Sequence, residues 1–150
     1  MNKKYLATLL TCTTLTLTTL TSITSDTKAQ TNSPKNTIFV GIVRNDAGFL
    51  YRFSGGEAIS AGQAKWDTCP QNTILVGRDF QSNGFWLCAS PDIANKGTFY
   101  FGNVVKDRGY HWEVSNGKAK PVGDVKWDTC WEGTLRGRRF DSNGFWVCQP

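Results

Sequence analysis

TIFVGIVRNDAGFLYRFSGGEAISAGQAKWDTC, residues 37–69, lies without a gap on TFYFGNVVKDRGYHWEVSNGKAKPVGDVKWDTC, residues 98–130, at a constant offset of 61. Thr37, Gly41, Val43, Asp46, Gly48, Ser54, Gly56, Ala58, Gly62 and all of 65–69 recur as the same residue. A single deletion shifts the offset to 60, and GRDFQSNGFWLC (77–88) then lies on GRRFDSNGFWVC (137–148). Self-similarity at one fixed period marks a tandem duplication. The chain therefore divides into an N-terminal arm at 30–35, a first repeat at 36–88, a linker at 89–96 and a second repeat at 97–148, each repeat of about 52 residues.

Within each repeat, short aromatic and β-branched runs are punctuated by glycine-bearing turns, and no helical apolar stripe is sustained, so the signal is β throughout. Phe49, Tyr51 and Phe53 alternate with Leu50 and Arg52; in the second repeat Tyr110, Trp112 and Val114 match the first set, His111 and Glu113 the second. The first set stays apolar in both repeats and is expected to face the core. The second changes from Leu to His and from Arg to Glu, and is expected to face solvent. Gly55-Gly56 and Asn116-Gly117 provide positive-φ positions for one tight turn, and Asn83-Gly84 and Asn143-Gly144 for another. A repeat of this size buries little by itself and leaves strand edges open. The expected fold is all-β, with two antiparallel repeats packed about a pseudo-twofold axis into one compact domain, stapled by disulfides.

The opening 29 residues have the layout of an export signal. Lys3 and Lys4 precede a Leu/Thr-rich stretch, and Thr27-Lys28-Ala29 closes it, so cleavage is expected near Ala29 and the mature protein is expected to be secreted or periplasmic. Threonine dilutes the segment too heavily for stable membrane insertion. Cleavage removes Cys12 and leaves Cys69, Cys88, Cys130 and Cys148, an even number that in an exported chain reads as two disulfides. Pairing within each repeat, Cys69 with Cys88 and Cys130 with Cys148, is favoured because each pair flanks the Asn-Gly hairpin; two cross-repeat patterns are also open. With no C-x-x-C and His111 the only histidine, neither a metal nor another cofactor is expected. Loss of residues 1–29 leaves 14 basic against 11 acidic residues, a net charge of +3. The basic residues of 118–139 are interleaved with Asp124, Asp128 and Glu132, so nucleic acid is not an expected partner.

Trp66-Asp67 and Trp127-Asp128 recur behind a lysine and are candidate ligand-binding residues: an indole stacks on the apolar face of a sugar ring while a carboxylate accepts from its hydroxyls. The competing reading puts the tryptophan in the core and the aspartate in a turn or an ion pair. Arg78 and Arg138, each after a glycine, join the candidates through a planar fork suited to anions, or else pair with Asp67 and Asp128 inside the fold. Trp86 and Trp146 share a strand side with Cys88 and Cys148 and are expected to pack on the bridges. No catalytic residue is assigned. His111 aligns with Leu50, Asp79 aligns with Arg139, and no cysteine is left as a nucleophile.

In organisation alone, two tandem copies with one cysteine pair each, the chain resembles the cyanovirin type of sugar-binding protein, although its WDTC and SNGFW words and its cysteine spacing depart from that pattern; no residue is carried over. The leading expectation is a secreted, non-enzymatic, lectin-like module with two quasi-equivalent sites for a glycan or cell-surface polysaccharide. The alternatives are a protein-interaction or enzyme-inhibitor module of the envelope or extracellular space, with a protein partner, and a small secreted hydrolase working through carboxylates such as Asp67, Asp79 or Asp128.

Overall fold

The computed structural model describes residues 35–81, 84–141 and 144–150. The export segment expected at 1–29, most of the arm expected at 30–35, and the Ser82, Asn83, Ser142 and Asn143 positions of the Asn-Gly hairpins lie outside the described residues. The ten strands are β1 (Ile38–Arg44), β2 (Ala47–Ser54), β3 (Gly56–Ala64), β4 (Ile74–Asp79), β5 (Phe85–Ala89), β6 (Phe99–Val105), β7 (Arg108–Ser115), β8 (Lys118–Val125), β9 (Thr134–Arg139) and β10 (Phe145–Gln149). One short helix, α1 (Pro91–Ala94), stands in the linker.

All ten strands belong to one sheet in the order β4-β5-β1-β2-β3-β9-β10-β6-β7-β8. Every neighbouring pair is antiparallel except β3 and β9, which run parallel through Gly56 and Glu57 against Gly137 and Arg138. The end strands also approach each other: the Gly117 amide beside β8 donates to the Val76 carbonyl of β4 at 2.9 Å, so the sheet is nearly closed. Near-closure hides edges that would otherwise template pairing with other chains. Both seams need glycine, because a Cβ on Gly137 would lie 2.6 Å from Phe53 and one on Gly77 2.5 Å from the Lys118 carbonyl. The β2–β3 and β7–β8 turns place Gly55 and Gly56, and Asn116 and Gly117, at positive φ. That is the conformation a two-residue hairpin consistent with the strand twist requires.

Strand direction follows from the pairing. Four antiparallel steps lead from β4 to β3, a parallel step to β9, and four more antiparallel steps to β8. Hence β3 and β8 run the same way, and the chain leaves both at the same end of the sheet.

The period-two alternation sorts side chains into an enclosed inner face and an outer face. Inside are Ile38 and Val40 of β1, Tyr51 and Phe53 of β2, Phe85 and Leu87 of β5, Phe99 and Phe101 of β6, Val114 of β7 and Phe145 and Val147 of β10. Phe49 and Trp112 pack against this cluster partly buried, whereas Tyr110 is half-buried. The rings of Phe85 and Phe101 stack at 4.0 Å across it.

The opposite face corrects the expectation of solvent at Leu50 and His111. Both are buried, Leu50 in a small outer core with Phe39, Trp86 and Cys88, and His111 beside Trp146. Arg52 is exposed as expected, and Glu113 is half-buried. The physical reason is a strap. After β3 and β8 the chain doubles back over the outer face, and disulfides Cys69–Cys88 and Cys130–Cys148 tie it down. In the chain-entropy picture each loop closed this way stabilises by about 3 kcal/mol.

Under each strap lies an indole on a floor of glycine. Trp86 pairs across from Gly41, and a Cβ at Gly41 would sit 1.9 Å from its Cε2; Trp146 bears the same relation to Gly102, again at 1.9 Å. Gly48 and Gly109 extend the two floors, which accounts for four glycines at aligned positions of the sequence. The indole N–H groups donate to strap carbonyls, Trp86 Nε1 to Thr68 at 3.0 Å and Trp146 Nε1 to Thr129 at 2.9 Å.

In the second repeat Trp146 Nε1 also donates to His111 Nε2 at 3.0 Å. Burial pushes the His111 imidazole below its ordinary value near 6.5, against a smaller opposing pull from the Thr129 carbonyl. Below pH 6.5 the unfolded chain takes up a proton that the folded chain refuses, so His111 makes stability fall with decreasing pH until its folded value is reached, by at most about 1.4 kcal/mol per pH unit. Above 6.5 it contributes no slope. His111→Leu, which installs the residue of the first repeat, is expected to flatten this slope. Urea midpoints at pH 7.5 and pH 5 for both proteins test it; an unchanged difference would mean that other groups carry the acid sensitivity.

Two disulfides, each with one buried cysteine, suggest a chain folded in an oxidising, extracellular environment. Among the described residues no helix is long and apolar enough to cross a membrane.

Candidate functional site

The straps bring the six candidate residues together as two trios. Arg78 on β4 forms an ion pair with Asp67, and Arg138 on β9 with Asp128. Asp67 and Asp128 have φ of 60° and 59°, a left-handed backbone that aspartate and asparagine tolerate better than most residues. Each therefore turns the strap just after the tryptophan and holds the arginine from the strand below. In each carboxylate Oδ1 is shielded from solvent and without a partner among the described residues.

Trp66 and Trp127 themselves are not core. They are 41% and 44% exposed. Each stacks on a phenylalanine, Trp66 on Phe80 at 5.8 Å with 23° between the planes, Trp127 on Phe140 at 6.1 Å with 19°. The phenylalanines lean in turn on the buried indoles, Phe80 on Trp86 at 6.4 Å and Phe140 on Trp146 at 6.3 Å. An exposed aromatic pair is thus anchored through a three-ring ladder to a fixed indole. Of seven exposed large hydrophobic side chains among the described residues, four belong to these two pairs, so exposed apolar area is concentrated here.

Beside each tryptophan opens a shallow, largely apolar hollow to which a few polar residues contribute. Asp46, Gln63 and Lys65 line the one next to Trp66; Asp107, Asp124 and Lys126 line the one next to Trp127, at the aligned positions. The result is a flat ring face flanked by donors and acceptors, which suits a ligand that is apolar on one face and hydroxylated at its edges. Among the described residues no group of three or more His, Cys, Asp or Glu is placed to hold a metal ion.

Phe80 and Phe140 are not among the candidates that the sequence singles out. Their signal was present, since GRDF and GRRF keep a phenylalanine two residues after the arginine in both repeats. Asp46 and Lys65 are likewise retained, but only the β1–β2 turn and the end of β3 bring them to one hollow.

The Arg–Asp pairs are partly exposed, with side-chain accessibilities of 46% and 28% in the first repeat, and such pairs contribute about 0–1 kcal/mol. Asp67→Asn combined with Asp128→Asn is expected to remain folded at a cost below about 1 kcal/mol per site, because asparagine accepts the left-handed backbone. The corresponding pair of valine substitutions is expected to cost clearly more. Guanidinium melts of the two double variants check the order, and equal losses would remove the backbone role.

Comparison of the chain with protein-family models, with curated proteins and with solved structures returns no match, so its two strapped Trp/Phe platforms have to be interpreted from their own chemistry.

Proposed function

We propose that the chain is a secreted, non-enzymatic carbohydrate-binding module whose two repeats pack about a pseudo-twofold axis and carry one site each. In the first site Trp66 and Phe80 provide the stacking surface and Asp67, fixed by Arg78, borders it; Trp127, Phe140, Asp128 and Arg138 do the same in the second. The observation that carries this reading is the pair of exposed Trp/Phe stacks, each beside a hollow lined in part by aspartate and lysine. A purely structural tryptophan has no reason to stay on the surface twice. A non-enzymatic role is favoured because each site aspartate is committed through Oδ2 to an arginine rather than standing free beside the hollow.

The test is retention of the purified, disulfide-bonded protein on insoluble polysaccharides and peptidoglycan, with tryptophan emission followed during titration with soluble oligosaccharides. Saturable retention with an emission shift, lost in Trp66→Ala/Trp127→Ala, is the expected result. Absence of binding across a broad panel would overturn it. The protein-interaction reading has one observation in its favour: Trp131 is 54% exposed in the second repeat, where the first has Pro70. A protein partner on that asymmetric patch would be lost in Trp131→Ala and would survive the double Trp66/Trp127 change.

A further inference from the structure

At the end of the sheet where β1 and β6 finish and β10 begins, a hollow of about 170 Å³ opens into the inner face. Ile42, Phe101, Val105 and Phe145 give it apolar walls, and Arg44 and Asn103 add polar groups. Asn103 is buried and held in place, its Oδ1 accepting from Trp112 Nε1 at 3.1 Å. Arg44 is in a different situation. Its Nε and Nη2 are shielded from solvent and have no hydrogen-bond partner among the described residues.

Two guanidinium nitrogens hidden from water with no acceptor are costly unless one reaches them. Asp141 is the carboxylate that feels its charge, but Asp141 is already taken: it accepts from Arg139 Nε at 2.7 Å, and that hydrogen bond is the main cause holding its carboxyl below the ordinary range, with Arg44 a lesser one. Lys106 lines the same hollow and adds a second positive charge. The size is informative as well, since an apolar cavity of about 150 Å³ is large enough for benzene. The hollow therefore combines an unpaired cationic fork with room for a single ring or a short chain.

We propose that this mouth binds one small apolar carboxylate, a single-ring or short-chain acid, with its carboxylate on Arg44 and its body against Ile42, Phe101, Val105 and Phe145. Arg44 and Lys106 align with Val105 and Asn45 in the other repeat. The site is therefore single in the molecule, unlike the two platforms, and it stands independently of the carbohydrate reading.

Benzoate is the probe, with benzyl alcohol as its uncharged counterpart, titrated calorimetrically into the disulfide-bonded protein. The expected result is one benzoate per chain, with benzyl alcohol at least tenfold weaker. Arg44→Met is expected to weaken benzoate at least tenfold, to leave benzyl alcohol within about twofold, and to raise the melting temperature of the unliganded protein, because two unmet guanidinium nitrogens give way to an apolar chain. The proposal is overturned if benzoate and hexanoate both fail to bind at millimolar concentration, if the alcohol binds as well as the acid, or if two equivalents bind. It is overturned equally if Arg44→Met lowers the melting temperature, which would mean that the guanidinium already has a partner within the fold. Where Arg44→Met binds too weakly to titrate, the comparison of acid with alcohol on the unmutated protein decides the matter.

Discussion

Gly41→Ala is expected to destabilise the protein by about 2–3 kcal/mol, although alanine in place of glycine inside a strand ordinarily helps by about 0.5–1 kcal/mol. The reversal comes from the new methyl group, which would lie 1.9, 2.1 and 2.2 Å from three atoms of the Trp86 ring system. Real contacts of that kind do not occur, so something must move. Trp86 has little freedom to do so: it is fully buried, its N–H is held by the Thr68 carbonyl, and the Cys69–Cys88 bridge pins the strap above it. Displacing the indole would also disturb the Phe80 and Trp66 rings that lean on it. Guanidinium melts of Gly41→Ala, Trp86→Leu and the double variant test the contact. The double variant is expected to lose at least about 1 kcal/mol less than the two single losses combined, since removing the ring removes the clash. A neutral Gly41→Ala would show that the ring does not lie on that glycine.

The second large effect is on binding, and it rests on the carbohydrate reading. Trp66→Ala is expected to halve the number of sites for a short soluble oligosaccharide while leaving the affinity of the remaining site unchanged. On an insoluble polysaccharide the same substitution is expected to weaken retention by about 100-fold, because linked sites that engage one target gain about 10²–10⁴ in avidity. β3 and β8 run in the same direction, so the chain enters both straps at the same end of the sheet, on strands five places apart in the sheet order, and the gain requires a polymer long enough to span from one platform to the other. Trp66 is exposed, so its truncation is expected to change stability by less than about 1 kcal/mol, which separates a binding loss from unfolding. Equal losses on polymer and oligosaccharide would show that the two platforms never share a target.

The two predictions differ in how far they could be reached without coordinates. The alternation Phe49-Leu50-Tyr51-Arg52-Phe53 assigns opposite faces correctly, yet it misplaces Leu50 and His111 in solvent. A period of two says which side chains share a face, and it is silent on whether something covers that face. The cover is the strap of residues 65–73 and its counterpart, held to β5 and β10 by the bridges and by the Trp86 and Trp146 N–H groups, and its position is a long-range fact. For the same reason Gly41 and Gly102 recur in sequence without an evident cause, until the register sets each opposite a tryptophan.

What the sequence by itself determined is the all-β character, the β2–β3 and β7–β8 turns and the within-repeat pairing of the cysteines, and it singled out the six recurring residues of the two trios; these depend on local periodicity, on positive-φ turn chemistry and on comparison of the chain with itself. Only the tertiary structure decided that Trp66 and Trp127 lie on the surface, that Phe80 and Phe140 stack on them, and that Arg44 lines a hollow between the ends of β1, β6 and β10. Those outcomes depend on strand order and closure, which bring Phe80 to Trp66, 14 positions away, and Phe145 to the hollow of Arg44, 101 positions away. Pairing at such distances is selected by the packing of the whole sheet, and no local pattern encodes it.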